Sequence, residues 1–131
     1  MGVDELLSRA RAGVRRLEPP QVVAAQRRGA LVVDTRTEVQ RQEQGEFPGA
    51  VIIDRTVLEW RLDPTSPWRI PEATGPDLDV VAVCRQSFSS SLAAASLRQV
   101  GLLRATDLVG GVDAWLAAGL PMTDGPADVR R

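Results

Sequence analysis

Residues 80–92 carry the sequence VVAVCRQSFSSSL, in which four apolar residues lead directly into a cysteine. An unbroken apolar run of this length is typical of a strand that is buried on both faces of a parallel sheet. The small and polar residues that follow predict a loop over residues 84–89, and residues 90–100 have the spacing of a helix. The segment therefore predicts a strand, a loop that begins with Cys84, and a helix.

The rest of the chain repeats this alternation of short apolar runs and helical stretches. The predicted strands are residues 14–17 at a sheet edge, 30–33, 50–53, 80–83 and 106–109. The predicted helices are one capped by Asp4, one opened by Pro19 and Pro20, residues 37–44, one capped by Thr56, residues 90–100, and one that follows Gly110 and Gly111 and ends at Gly119. Such alternation predicts an α/β fold, with a mostly parallel sheet of about five strands and helices on both faces.

The length of 131 residues suits a single domain that spans residues 1–131. Within it, we expect residues 1–13 to form an N-terminal helical extension and residues 122–131 to form a frayed tail. Residues 63–76 are rich in proline and small polar residues. They predict a long ordered loop, because too little sequence follows them to build a second core.

The composition excludes several kinds of chemistry. One cysteine allows no intrachain disulfide, and the lack of histidine removes the usual zinc ligand and general base. A formal net charge of −1 gives no basic field for nucleic acid, and no apolar run is long enough for a membrane span. We therefore expect a cytoplasmic, reducing location, no metal, no cofactor, and no binding to nucleic acid or membrane. The sequence does not indicate a protein partner.

The residues around Cys84 predict an anion-stabilising cradle. Main-chain amides of the loop and of the first helical turn would point at the thiol, and the helix dipole adds positive potential there. Both effects stabilise a thiolate over a thiol without help from a histidine. The alternative is that Cys84 is a small buried apolar residue that serves packing alone. Arg85, Gln86 and Ser87 argue against full burial, because polar side chains need water or partners.

Polar residues also follow a second predicted strand, where Asp34 and Arg36 come directly after an apolar run. In open parallel sheets, ligands bind at the carboxyl ends of the strands. The edge that carries Cys84 is therefore the expected site. Asp34 and Arg36 either face this site or form a pair that fixes the end of their strand.

Tryptophan and arginine side chains elsewhere offer further candidates. Trp60 and Trp115 lie at apolar helical positions and are predicted to be core or lid anchors. Arg55, Arg61 and Arg69 lie on or near the segment that follows a strand end. They either gather over the cysteine and admit anions, or are scattered surface charges.

Four segments, in order along the chain, resemble the signature segments of rhodanese-like domains. They are LVVDTR at residues 31–36, GEFPGAVI at 45–52, VCR at 83–85 with the loop after it, and LVGGVDAW at 108–115, completed by GLP at 119–121. The resemblance covers residues 17–121 and implies a three-layer fold around a central parallel sheet. It also implies that Cys84 lies at the family's active-site position.

The resemblance implies a sulfurtransferase that uses covalent catalysis. Cys84 would take a sulfane sulfur from a donor such as thiosulfate or a low-molecular-weight persulfide, and its persulfide would pass that sulfur to a thiol or cyanide. The implied substrate-binding residues are the loop residues Arg85, Gln86, Ser87, Phe88, Ser89 and Ser90, with Asp34 and Arg36 in support. In that scheme the loop amides stabilise the persulfide, Arg85 attracts an anionic donor, and the hydroxyls of Ser89 and Ser90 donate hydrogen bonds. The sequence has no second cysteine, so we expect an external acceptor.

Three departures from the family pattern keep other functions open. Ser87 stands where the family often has a glycine, which reaches positive φ at low cost. Glu46 stands where the family has a histidine. Ser89 occupies the sixth loop position, and the loop lacks the arginine that phosphatase relatives place in it. The first alternative is a catalytically weak or inactive binding or regulatory module, and a phosphatase or arsenate reductase has less support.

Overall fold

A parallel sheet forms the centre of the computed structural model, which describes residues 2–131. Its six strands among those residues run in the order β1-β5-β4-β2-β3-β6, and every neighbouring pair is parallel. The strands are β1 (Arg15–Leu17), β2 (Leu31–Asp34), β3 (Val51–Ile52), β4 (Val80–Val83), β5 (Ala105–Leu108) and β6 (Asp128–Val129). The structure thus confirms the predicted α/β class, with β1 at a sheet edge as expected.

Helices cover both faces of the sheet. They are α1 (Val3–Ala12), α2 (Pro19–Arg27), α3 (Glu38–Gln44), α4 (Leu58–Leu62), α5 (Phe88–Gln99) and α6 (Gly111–Ala117). Successive side chains of a strand point to opposite faces. Val80 and Ala82 accordingly join a core with residues of α4 and α5, whereas Val81 and Val83 join a second core with residues of α2 and α6. These two cores give the three-layer arrangement that the resemblance implies.

Several predicted helix boundaries need correction. The helix after the cysteine, α5, begins at Phe88 and not at residue 90, so the loop is two residues shorter than expected. Asp4 does not cap α1, because Gly2 occupies the N-cap and Asp4 lies in the first turn. Thr56 is not a cap either. Its amide donates to the Asp54 carboxylate, which caps a short 3-10 turn ahead of α4.

The prediction that Trp115 is a core or lid anchor is confirmed. For Trp60, the core position is wrong. Trp115 is buried, and its ring centroid lies 4.4 Å from that of Phe47. Its indole N–H donates to the carbonyl of Pro121. Trp60 lies exposed on α4 and does not belong to the core. Within residues 2–131, no helix has the length and apolar character that a membrane crossing requires.

The C-terminal segment, predicted to be a frayed tail, adds the sixth strand. Its β6 pairs with β3, and the amide of Arg130 donates to the carbonyl of Ile52. The Arg130 guanidinium lies 2.6 Å from a Glu72 carboxylate oxygen and 2.7 Å from one of Asp128. Main-chain pairing and these ion pairs hold a segment whose side chains are largely exposed.

Replacing Arg130 with Gln is expected to weaken the attachment of β6 at neutral pH. The Arg130 hydrogen bonds lower the pKa values of Glu72 and Asp128 from their ordinary values of 4.5 and 3.8. Carboxyls with a lowered pKa in the folded state stabilise it above their unfolded-state pKa, and lose that contribution as the pH falls through the folded value. Because both carboxyls are exposed, we expect Arg130→Gln to lower the free energy of unfolding by at most about 1 kcal/mol at pH 7.

The measurement is urea unfolding of both proteins between pH 7 and pH 3. The difference between them should shrink as the pH falls below about 4. Arg131→Gln removes the same charge one residue further on and serves as the matched control. A difference that stays constant across this pH range would contradict the assignment.

Candidate active site

Cys84 directly follows β4, and its sulfur accepts two main-chain hydrogen bonds. The amide of Ser87 lies 3.1 Å from Sγ, and the amide of Ser90 lies 3.3 Å from it. Cys84 is buried, with 7% of the residue exposed, and it forms part of the lining of a cleft. Main-chain N–H groups converging on one atom form a site that favours negative charge at that atom.

The loop reaches this geometry through an unusual backbone conformation at Ser87. Its φ is +70°, and among residues 2–131 it is the one non-glycine residue at positive φ. This left-handed residue immediately precedes α5, so the chain turns sharply between Cys84 and the helix. Ser87 thus takes up the conformation that the family's glycine would adopt at low cost.

The start of α6 holds the loop from the other side. The amide of Val112 donates to the carbonyl of Cys84, and the amide of Asp113 donates to the carbonyl of Arg85, both at 3.0 Å. Gly111 allows this close approach, because a Cβ built there would lie 2.5 Å from both carbonyl oxygens. The second glycine of the LVGGVDAW segment therefore has a steric reason beside the cysteine loop.

A cleft of about 400 Å³ opens over the sulfur. Its lining comprises Thr35, Thr37, Gln40, Arg55, Cys84, Arg85, Gln86, Phe88 and Ser89. These residues follow β2, β3 and β4 in the chain, so the carboxyl ends of three neighbouring strands meet at this cleft. The walls include hydroxyl, amide and guanidinium groups, and the exposed ring of Phe88 adds an apolar surface.

Two arginines border the cleft, and each has an acidic neighbour. Arg55 donates to both carboxylate oxygens of Glu59, at 2.8 and 3.0 Å. Burial by itself raises the pKa of Glu59, but hydrogen bonds from Ser96 and Arg55 outweigh burial and lower it. Arg85 lies 3.9 Å from Asp113, and about half of its side chain is exposed. Arg85 is therefore the freer of the two cations to meet an anion from solution.

The loop residues predicted from the sequence divide into two groups. Arg85, Gln86, Phe88 and Ser89 line the cleft with Cys84, whereas Ser87 and Ser90 are buried. The hydroxyl of Ser90 donates to the Asp107 carboxylate at 3.2 Å, so it does not face the cleft as the sequence led us to expect. The main-chain amide of Ser90, and not its side chain, makes the contact with the sulfur.

Asp34 and Arg36 are not part of the cleft lining. Both side chains are fully buried, and they pair at 2.8 Å. Arg36 also donates to the carbonyl of Gly45 at 2.8 Å and to the side chain of Gln44 at 3.3 Å. The pair therefore joins the end of β2 to the end of α3. This agrees with the alternative that Asp34 and Arg36 form a pair that fixes the end of their strand.

Other cleft residues escaped the sequence prediction. Thr35, Thr37 and Gln40 reach the cleft because β2 lies next to β4, and this neighbourhood was not evident before the strand order was known. Of the three arginines considered, Arg55 borders the cleft. Arg61 and Arg69 instead donate to carbonyls of the loop at residues 63–76. Among residues 2–131, no group of three or more acidic or cysteine side chains is placed to hold a metal ion.

The fold and the cleft define an α/β protein with a cysteine in an amide-lined loop at the carboxyl end of a central strand. The family model of the rhodanese-like domain matches residues 18–118. The chain therefore belongs to the rhodanese-like domain family, and the resemblance seen in its four segments is confirmed.

A sulfurtransferase of Allochromatium vinosum is 36% identical over 92 residues, which cover 70% of this chain and 77% of that protein. A protein of unknown function from Rhodopseudomonas palustris, described as a possible tyrosine phosphatase, has a TM-score of 0.84 at 28% identity. Its match covers 94% of this chain and 95% of that one.

Two more distant structures share the fold. The thiosulfate sulfurtransferase of Pseudomonas aeruginosa has a TM-score of 0.68 at 23% identity, and the match covers 88% of this chain and 20% of that one. A human single-domain sulfurtransferase has a TM-score of 0.63 at 20% identity, with coverage of 78% of this chain and 95% of that one.

Replacing Gly111 with Ala is expected to destabilise the protein strongly. The added Cβ would overlap the carbonyls of Cys84 and Arg85, and the residue has a φ of +63° that disfavours any side chain. Together these effects should lower the free energy of unfolding by about 2–4 kcal/mol, measured by urea denaturation. Gly13→Ala is the matched control, because Gly13 has a negative φ and no atom within 4 Å of the added Cβ. Equal effects of the two substitutions would contradict this steric role.

Proposed function

We propose that the protein is a sulfurtransferase that carries a sulfane sulfur as a persulfide on Cys84. The observation that carries this proposal is the pair of main-chain amides, from Ser87 and Ser90, that donate to Sγ beneath an open cleft. An anionic sulfur at this position gains both hydrogen bonds, and hydrogen bonds to charged groups are the stronger kind. Membership of the rhodanese-like family and the sulfurtransferase relative support the same reaction class.

The first half of the reaction forms the persulfide. The Cys84 thiolate attacks the outer sulfur of a donor such as thiosulfate, and a new S–S bond forms. The donor's own S–S bond breaks, and sulfite leaves with the bonding electron pair. The thiol proton has gone to solvent beforehand, since the sequence contains no histidine to accept it. The amides of Ser87 and Ser90 hold the negative charge in place before the attack.

The second half returns the enzyme to its starting state. A nucleophilic acceptor, a thiolate or cyanide, attacks the terminal sulfur of the persulfide. The bond between the two sulfurs breaks, and its electron pair returns to Cys84 as a thiolate. The acceptor comes from outside the protein, because the sequence has no second cysteine to receive the sulfur. Each step forms one bond and breaks one, with no net oxidation.

The walls of the cleft suit a small anionic donor. Arg85 and Arg55 border the cleft and attract anions to it. Ser89 and Gln40 line the same space and can donate hydrogen bonds to the oxygens of a thiosulfate. A low-molecular-weight persulfide is the second donor that fits, because the exposed ring of Phe88 offers apolar contact for its organic part.

A phosphatase is the second candidate, and the relative from Rhodopseudomonas palustris is the observation in its favour. Phosphoryl transfer needs donors around the three equatorial oxygens of the transferred group. Residues 86–91 contain no arginine to supply them. Arg11 and Arg16 do reach the loop, but they donate to its carbonyl and hydroxyl groups from behind and do not line the cleft. This arrangement favours sulfur transfer over phosphate hydrolysis.

The inactive binding module loses its main support, which was the serine in place of the family's glycine. Ser87 takes up the left-handed conformation, and its amide still donates to Sγ. The substitution therefore leaves the hydrogen bonds that the proposed chemistry requires.

Incubation with thiosulfate is expected to add the mass of one sulfur atom to the wild-type protein, measured by intact mass spectrometry. Cys84→Ala should gain nothing, and cyanide or a thiol should remove the added mass from the wild type. The same experiment with glutathione persulfide tests the second donor. If neither donor loads the protein and iodoacetamide labels Cys84 only slowly at neutral pH, the binding module is the better assignment.

Hydrolysis of p-nitrophenyl phosphate is expected to stay at the level of the Cys84→Ser variant. The physical reason is that no guanidinium faces the sulfur from within residues 86–91. The measurement is the initial rate of nitrophenolate release at a fixed protein concentration. A rate in the wild type that the Cys84→Ser substitution abolishes would favour the phosphatase.

A further inference from the structure

Behind the cysteine loop lies an ion pair between a partly exposed arginine and a buried aspartate, and the proposed mechanism assigns it no role. Asp107, on β5, is fully buried, and Arg16, on β1, donates to it from Nε at 2.9 Å. The two residues are direct neighbours in the register of these parallel strands. A buried carboxylate requires a partner of this kind, because an unpaired buried charge is costly.

The pair reaches both residues whose amides contact the sulfur. Arg16 extends Nη2 to the hydroxyl of Ser87 at 3.0 Å, and the amide of Gly110 donates to the same hydroxyl at 3.0 Å. Asp107 accepts from the hydroxyl of Ser90 at 3.2 Å and from that of Ser91 at 2.8 Å. Ser87 and Ser90 are thus each held by their side chains to one ion pair, while their amides face Sγ.

These contacts explain how a serine occupies a conformation that favours glycine. A left-handed conformation is unfavourable for a residue with a Cβ, and it persists where the surroundings hold it. The hydroxyl of Ser87 has two donors directed at it, and its carbonyl accepts from Arg11 at 3.0 Å. Ser87 is therefore fixed by both its side chain and its main chain.

We propose that Arg16, together with Asp107, is a positioning residue for the reaction at Cys84. Arg16 holds the Ser87 side chain, keeps φ at Ser87 positive, and so keeps the Ser87 amide directed at the sulfur. Arg16 lies outside the part of the chain that the family model matches, residues 18–118. The serine in the loop and the arginine on β1 accordingly form one unit, in which the arginine replaces the conformational freedom of the family's glycine. The expected effect of Arg16 on the reaction rate rests on the proposed function. Its expected effect on the conformation of Ser87 does not.

The test compares Arg16→Gln in two backgrounds, the wild type and Ser87→Gly. With serine in the loop, Arg16→Gln removes the anchor of a strained residue, and we expect the rate of sulfur loading from thiosulfate to fall about tenfold. With glycine in the loop there is no hydroxyl for Arg16 to hold, and the same substitution acts only through Asp107 and Ser90, so the rate should fall by about twofold at most. Arg15→Gln, at an exposed position on the same strand, is the matched control and should leave the rate unchanged.

A second measurement does not depend on sulfur transfer. Hydrogen exchange at the amides of Ser87 and Ser90, followed by NMR, should be faster in Arg16→Gln by about the same tenfold factor. If the wild type fails to load sulfur, the proposed function is lost, while hydrogen exchange still decides the role of Arg16.

Three results would overturn the inference. The first is unchanged exchange and unchanged loading in Arg16→Gln. The second is a penalty that is equally large on the Ser87→Gly background, because the effect would then not pass through Ser87. If Arg16→Gln does not fold, Ser87→Ala removes the hydroxyl that accepts from Arg16 and Gly110, and it keeps both residues of the Arg16–Asp107 pair. The third overturning result is a Ser87→Ala variant with wild-type loading and exchange.

Discussion

The two main-chain hydrogen bonds to the Cys84 sulfur are the interaction on which the rest of the site depends. They require the chain to leave β4, turn within three residues and direct the amides of Ser87, which precedes α5, and of Ser90, in its first turn, at the sulfur. Such a turn needs a residue at positive φ and a close approach by a neighbouring element. Ser87 supplies the first, and Gly111 at the start of α6 permits the second. Strand, turn and two helices are therefore fixed together around one atom.

The way in which Ser87 is held shows how a loop can lose its glycine and keep its shape. Glycine needs no support at positive φ, whereas serine there is strained unless its surroundings compensate. In this protein the compensation comes from polar contacts that only a hydroxyl can make, since Arg16 and Gly110 both donate to Ser87 Oγ. A glycine would be free of strain but would have no side chain for these donors. With serine in place of glycine, the backbone at this position has less conformational freedom. The hydrogen bonds of the serine connect the loop to β1 and β5.

The sequence predicted the parts of the fold whose patterns are local, and it missed those set by pairing between distant segments. Strand β4 was evident because burial on both faces requires a continuous apolar run, and Cys84 was placed correctly at its end. Strand β6 was missed because Asp128–Val129 is short, exposed and held mainly by main-chain pairing and by Arg130. Arg16 was missed for a related reason. Its position opposite Asp107 follows from the register of β1 and β5, which no local pattern reveals.

The arginines around the loop differ in the groups that they contact, and this difference bears on the choice between sulfur transfer and phosphoryl transfer. Arg55 and Arg85 border the cleft that the proposed anionic donor would enter, whereas Arg11 and Arg16 lie behind the loop and donate to Ser87. At the sulfur itself the donors are main-chain amides. A phosphoryl group in transfer spreads its charge over three oxygens and requires several donors around them. In the proposed sulfur transfer, the Cys84 thiolate carries its charge on Sγ alone, before the attack on the donor and again after the sulfur has left. Two amides around this single atom, with cations at the rim of the cleft, suit that localised charge better than the charge of a phosphoryl group.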